Sequence, residues 1–168
     1  MFLTFIIVCI FVGTMLIAAC KDATTMTIPN WISLVLIAGF VVVQPFVFEG
    51  WDVLGEHALI GLTFFLAGFS MFAFGWLGGG DAKLMAATAL WWQWPDTIVY
   101  ILYTTLVGAG LAILLLLSRK FLPINLITSQ IPFAMFKEDK NMPYGLALAA
   151  GALLTLPQSA IFLKAVGV

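Results

Sequence analysis

Six apolar runs, most of them near membrane-spanning length, leave this chain few folds to adopt. The first is Phe2–Cys20, in which Thr4 and Thr14 are the polar interruptions. The second begins near Pro29 and reaches about Phe48, and the third runs from about Ala58 to Leu77. A short piece, Ala82–Trp94, comes fourth, followed by Thr97–Ser118 and by a last run from Tyr144 to about Val166. Roughly 20 apolar residues in a helix match a hydrocarbon core ~30 Å thick. Backbone polar groups in lipid must pair internally; a helix achieves this within one segment, and the alternating polarity of a barrel is absent. The expected fold is all-α, a polytopic membrane helix bundle with about six transmembrane helices in one domain, residues 1–168.

Composition agrees. Of the 168 residues, 63% are hydrophobic and 9% charged, against roughly 25% charged in a soluble domain, and the mean hydropathy is +1.13. A net charge of −1 provides no basic patch for nucleic acid. Cys9 and Cys20 both lie in the first run and form neither a CxxC site nor a disulfide framework. Ile17-Ala18-Ala19-Cys20 imitates a lipoprotein cleavage signal, but no Lys or Arg precedes it to form the basic region such a signal requires.

Basic residues near span ends set orientation. Lys21 lies between the first two runs, Lys83 between the third and fourth, and Arg119, Lys120, Lys137 and Lys140 between the fifth and sixth. The alternate connections hold no Lys or Arg. The expected placement is a bacterial inner membrane with both termini periplasmic and the odd-numbered connections cytoplasmic. Glu49, Asp52, Glu56 and Asp96 then fall outside and read as solvated turn residues, with His57 on the same side. Trp51, Trp91, Trp92 and Trp94 read as an outer aromatic belt, and Trp31 and Trp76 as an inner one.

Two inner acids stand apart. Asp22 closes the first run, and Asp81 follows Gly78-Gly79-Gly80 59 residues later, at the same predicted membrane face. Glycine permits positive φ and close backbone approach, so the triplet is expected to turn the chain tightly and leave space above Asp81. Thirteen residues, Ala82–Trp94, are too short to cross the membrane at ~1.5 Å per residue, which draws Asp81 to the bottom of an inlet. Leu84, Met85 and Thr88 share its helical face and are expected to line the same cavity. An acid at membrane depth is by default a functional residue. Two carboxylates in one half-dry cavity cannot both ionise easily; one keeps its proton while the other stays charged. Such a pair can activate water and polarise a carbonyl without a metal or cofactor. The structural alternatives are a juxtamembrane charge pair for Asp22 with Lys21 and an N-cap for Asp81.

Gly78-Gly79-Gly80-Asp81 resembles the GxGD signature of intramembrane aspartyl proteases. The continuation Gly80-Asp81-Ala82-Lys83-Leu84, the Asp22…Ile28-Pro29-Asn30 stretch and the Pro143-Tyr144-Gly145 opening of the last run resemble type IV prepilin peptidases, in particular the short ones that serve tight-adherence (Flp-type) pili. The resemblance implies Asp22 and Asp81 as the catalytic pair, with Gly78, Gly80, Lys83, Tyr144 and Gly145 shaping the site. It implies a prepilin substrate, a basic leader followed by one apolar helix, cleaved at the cytoplasmic face within membrane lipid and beside a pilus assembly machinery. Larger members carry a CxxC-bearing insertion after the first helix and also N-methylate the product. Lys21–Thr27 leaves no room for that insertion. The connection Arg119–Met142 reads as an interfacial segment. A carboxylate-dependent carrier and a non-catalytic assembly subunit are the competing readings; carriers favour inverted repeats, and none is found in the sequence.

Overall fold

The computed structural model describes residues 2–121 and 142–167, without the side chains of Leu3 and Arg119. All its regular elements are helical. α1 (Phe2–Ile7) passes through a π-helical turn, Val8–Val12, into α2 (Gly13–Thr25). α3 (Asn30–Val47), α4 (Trp51–Ala73), the short α5 (Gly79–Ala89) and the long α6 (Trp94–Phe121) follow. α7 (Tyr144–Thr155), a 3₁₀ turn at Leu156–Gln158 and α8 (Ala160–Val166) complete the chain. The connection 122–141, and with it most of the expected interfacial segment, lies outside the described residues.

Each of the six apolar runs is helical, but they do not all span. Thr4–Thr25, Asn30–Val47, Trp51–Ala73 and Trp94–Ser118 are long and apolar enough to cross a membrane. Tyr144–Gln158 and Ala160–Val166 make a fifth crossing if the pair, bent by 46°, counts as one span. Among the described residues the count is therefore four or five, beside an expectation of about six. The difference is α5, whose 11 residues cover only about 16 Å. The bend follows from Pro157 at the start of the 3₁₀ turn, where a proline removes a helical donor. Pro45, by contrast, sits inside α3, which continues to Val47.

Close helix contacts use small residues, as expected where lipid supplies no hydrophobic drive between helices. α5 packs along α4. A Cβ at Gly68 would stand 3.2 Å from Ala82, and one at Gly61 would meet the Leu90 side chain. α7 packs on α6 and α2, with Gly151 against the backbone of Thr104, whose N would lie 2.8 Å from an added Cβ. The core between these pairs is aromatic. Phe11 meets Trp91 edge-on at 4.9 Å between ring centroids, and Trp91 Nε1 donates to Leu36 O at 3.2 Å.

That core corrects the expected outer belt. Trp91 and Trp92 are fully buried, because the turn after α5 folds them inward; Trp51 and Trp94 remain exposed. The outer acids are corrected as well. Asp96 is buried, and its Oδ2 accepts N–H groups from Ala160 at 3.1 Å and Gln93 at 3.5 Å. It thereby ties the start of α6 to the start of α8. His57 is also buried, edge-on to Phe40. Glu56 accepts the Trp94 N–H at 2.7 Å, and Glu49 pairs with Lys164 at 3.1 Å. Cys9 and Cys20 are exposed and unpaired.

Candidate functional site: two carboxylates at three helix ends

Three helix termini converge at the end of the bundle where α2 stops and α5 and α7 begin. α2 closes at Met26, which adopts the left-handed conformation with φ 53° and donates its N–H to Asp22 O at 2.9 Å. Asp22 therefore occupies the last turn of α2, with 3% of its surface exposed. Its carboxylate reaches α7, where the Leu146 N–H donates to Oδ2 at 3.0 Å. An acid beside the unpaired N–H groups of a helix N-terminus is favourably placed.

α4 ends by a different device. Gly75 takes φ 75°, Trp76 N donates to Met71 O at 2.9 Å, and Gly75 N donates to Phe72 O at 2.9 Å. This is a Schellman closure, and it needs a residue that tolerates positive φ. The chain then passes through Trp76 and Leu77 to Gly78, which has an ordinary extended conformation, φ −68° and ψ 146°. Gly79 and Gly80 are already helical. The tight turn expected of the triplet is thus made upstream, at Gly75.

What the triplet provides is close approach. A Cβ at Gly78 would lie 2.7 Å from Asp81 Oδ2, and one at Gly79 would lie 3.3 Å from the Phe72 ring. A Cβ at Gly80 would stand 3.0 Å from both Cβ and O of Ile28. Gly145 faces the same residue from the other side: its added Cβ would meet Ile28 Cδ1 and lie 2.9 Å from Asp22 Oδ2. Ile28, buried in the α2–α3 turn, is a wedge gripped between α5 and α7. This contact holds the start of α5, which carries Asp81, against the start of α7, whose Leu146 N–H donates to the Asp22 carboxylate. Sequence reading missed the role of Ile28; its place between Asp22 and Pro29 was the available signal.

Asp22 and Asp81 line one cavity of about 260 Å³, together with Met26, Leu77, Gly78 and Tyr144. That is room for several waters at ~30 Å³ each. Asp81 sits in the first turn of α5, outside the membrane-spanning segments. Its Oδ1 is buried without a hydrogen-bond partner. Burial, and then the charge of the neighbouring Asp22, push the Asp81 carboxyl up to about 7. Among the described residues, no three of His, Cys, Asp or Glu converge on a metal position.

The remaining sequence-predicted residues divide. Gly78 and Tyr144 line the acid cavity, while Gly80 and Gly145 shape it through Ile28. Lys83 does not reach it: Nζ donates to Asn30 Oδ1 at 2.9 Å on another side of α5. Leu84, Met85 and Thr88 are corrected too. Leu84 and Thr88 are fully buried, and Met85 lines a neighbouring groove. The first turn of α5 presents Asp81 to the cavity, and the later turns are absorbed by packing.

Residues 9–113 match the model of the type IV leader peptidase family, a stretch that contains both acids and all three glycines of the triplet. No curated protein and no solved structure matches the chain.

Proposed function

The chain belongs to the type IV leader peptidase family, and from that premise we propose that it is an intramembrane aspartyl endopeptidase cutting the basic leader from Flp-type prepilins at the cytoplasmic membrane face. The observation that carries this reading is the shared cavity of Asp22 and Asp81. The Asp22 carboxylate, held by the Leu146 N–H, takes a proton from a water as that water attacks the scissile carbonyl. Asp81, pushed up to about 7, holds the proton that polarises the carbonyl oxygen. The tetrahedral intermediate collapses as the acid pair returns a proton to the leaving amine, which restores the starting state.

An apolar groove supports the rest. It has a volume of about 690 Å³, runs between α4, α6 and α7, and shares Trp76, Leu77, Met142 and Tyr144 with the acid cavity. Along α6 it extends from Tyr100 to Ala112, about 18 Å at helical rise. Gly108 and Ala147 both line it, and an added Cβ at 108 would touch Ala147 at 3.6 Å. An apolar substrate helix lying here reaches the acids with its end. The charge bias of the connections supports the cytoplasmic placement of that end.

Co-expression of a prepilin with the wild type, Asp22→Asn and Asp81→Asn tests the proposal. Both variants are expected to lose processing by at least about 10²-fold while remaining folded in the membrane. Intact processing by either one overturns the two-acid mechanism. Proton or solute flux dependent on Asp81, with no processing by any form, gives the site to a carrier.

A further inference from the structure

Lys83 is left unused by this mechanism. It opens onto a second groove of about 510 Å³, between α3, α4 and α5, on a different side of α5 from the acid cavity. The body of the groove is apolar, lined by Leu34, Ile37, Leu62, Phe65 and Leu90. Its polar residues are Asn30, Ser33 and Lys83. α3 begins at Asn30 and α5 at Gly79, so these polar groups gather at the acid-bearing end of the bundle, near the membrane–water boundary.

Their chemistry has one sign. The Lys83 ammonium has three donors and gives one to Asn30 Oδ1. That bond fixes the Asn30 amide with its oxygen occupied and its NH₂ free to donate. Ser33 is 6% exposed, and its hydroxyl has no partner. A buried unpaired hydroxyl costs free energy unless something supplies a hydrogen bond. Among the described residues no carboxylate lines this groove. A cation, an amide NH₂ and a hydroxyl above an apolar slot complement an anionic head on an acyl chain.

We infer that this groove is a binding site for an anionic phospholipid, with the phosphodiester at Lys83, Asn30 and Ser33 and an acyl chain between α3 and α4. A basic-leader substrate is disfavoured here, because its leader would meet the Lys83 charge. Among the described residues, those lining the groove that joins the acid cavity include no cation. The two grooves therefore sort lipid from substrate by charge. Lys83 lies two residues after Asp81 on the same helix, so an occupied groove braces the turn of α5 that presents Asp81.

The test is native mass spectrometry of the full chain from micelles holding equimolar phosphatidylglycerol and phosphatidylcholine. Wild-type protein is expected to retain phosphatidylglycerol about fivefold over phosphatidylcholine, the preference one interfacial lysine supplies. Lys83→Gln is expected to abolish the preference and Lys83→Arg to keep it. Ala86→Trp, which fills the slot, is expected to remove the bound lipid altogether. Lys164→Gln, at the Glu49 ion pair, is expected to change nothing, and circular dichroism reports whether each variant is folded. Equal retention of the two lipids by the wild type overturns the inference, as does a preference that survives in folded Lys83→Gln. Displacement by inorganic phosphate alone reduces the site to an anion site without a lipid. Displacement by a prepilin helix peptide gives the groove to substrate. Either displacement refutes the phospholipid site while leaving the two-acid mechanism standing.

Discussion

The carboxylate of Asp22, at the end of α2, holds the Leu146 N–H at the start of α7 across 124 residues of sequence, at 3.0 Å. One side chain thus serves as a strut between two helices and as half of the acid pair. Substitutions separate the two roles. Asp22→Asn keeps an oxygen that accepts the N–H but loses the base of the proposed mechanism, so melting in detergent is expected near the wild-type temperature with processing lost. Asp22→Ala loses both and leaves a buried N–H unpaired, a cost of about 1–3 kcal/mol, so it is expected to melt distinctly lower.

The Ile28 wedge gives a differential expectation. Gly145→Ala and Gly80→Ala each overpack the contact, which costs about 1–3 kcal/mol and separates the acids. At Gly145 the obstacles are the far end of the Ile28 side chain and the carboxylate of Asp22, both side-chain atoms, whereas at Gly80 the Cβ and the backbone O and N of Ile28 stand in the way. Adding Ile28→Ala is therefore expected to recover stability for Gly145→Ala more than for Gly80→Ala. Thermal melts of the two double variants check this, and equal recovery would show that the backbone does not limit the approach.

The pH profile of cleavage follows from Asp81. Its carboxyl is raised to about 7, first by burial and then by Asp22, so it is neutral below that pH and charged above it. On the proposed mechanism cleavage needs one proton on the pair and is expected to fall as pH rises through 7, to about one tenth between pH 6 and pH 8. Because the folded state holds this proton more tightly than the unfolded chain, stability also declines as pH rises from about 4 to 7. Initial rates in detergent from about pH 6 to pH 8 test the sign; a rate that climbs through pH 7 would contradict it.

In the proposed reading the groove along α6 separates substrate binding from chemistry. Gly108→Ala is expected to be tolerated, since its Cβ meets Ala147 at an ordinary contact distance of 3.6 Å. Gly108→Leu fills the groove and is expected to raise KM several-fold with kcat nearly unchanged, by analogy with overpacking penalties of about 1–3 kcal/mol. A fall in kcat with KM unchanged would place the substrate helix elsewhere.

Part of this site was legible early. An acid after three glycines, in a chain with so few charges, marks Asp81, and the lysine and arginine bias puts Asp22 at the same face. The triplet's purpose was only half legible: close approach is visible at Gly78 and Gly80, but the positive-φ turn belongs to Gly75. The cavity-facing set predicted for α5 was wrong beyond Asp81, because periodicity says which residues share a face and not which neighbour meets it. Trp91 and Trp92, which read as an aromatic belt, and His57 and Asp96, which read as residues of polar connections, are buried for a related reason.

The amino-acid order alone determined that this chain is helical and crosses a membrane, because segment length and the absence of charge are local properties. It also determined which two acids lie at one face. Which side of each helix is buried was decided only by tertiary packing. In lipid, exposed positions are as apolar as buried ones, as Phe65, Leu66 and Ile98 illustrate, so hydrophobicity no longer marks the inside. The wedge at Ile28 depends on Gly80 and Gly145 meeting it from helices distant in sequence, and the strut from Asp22 to Leu146 depends on the packing of α2 against α7.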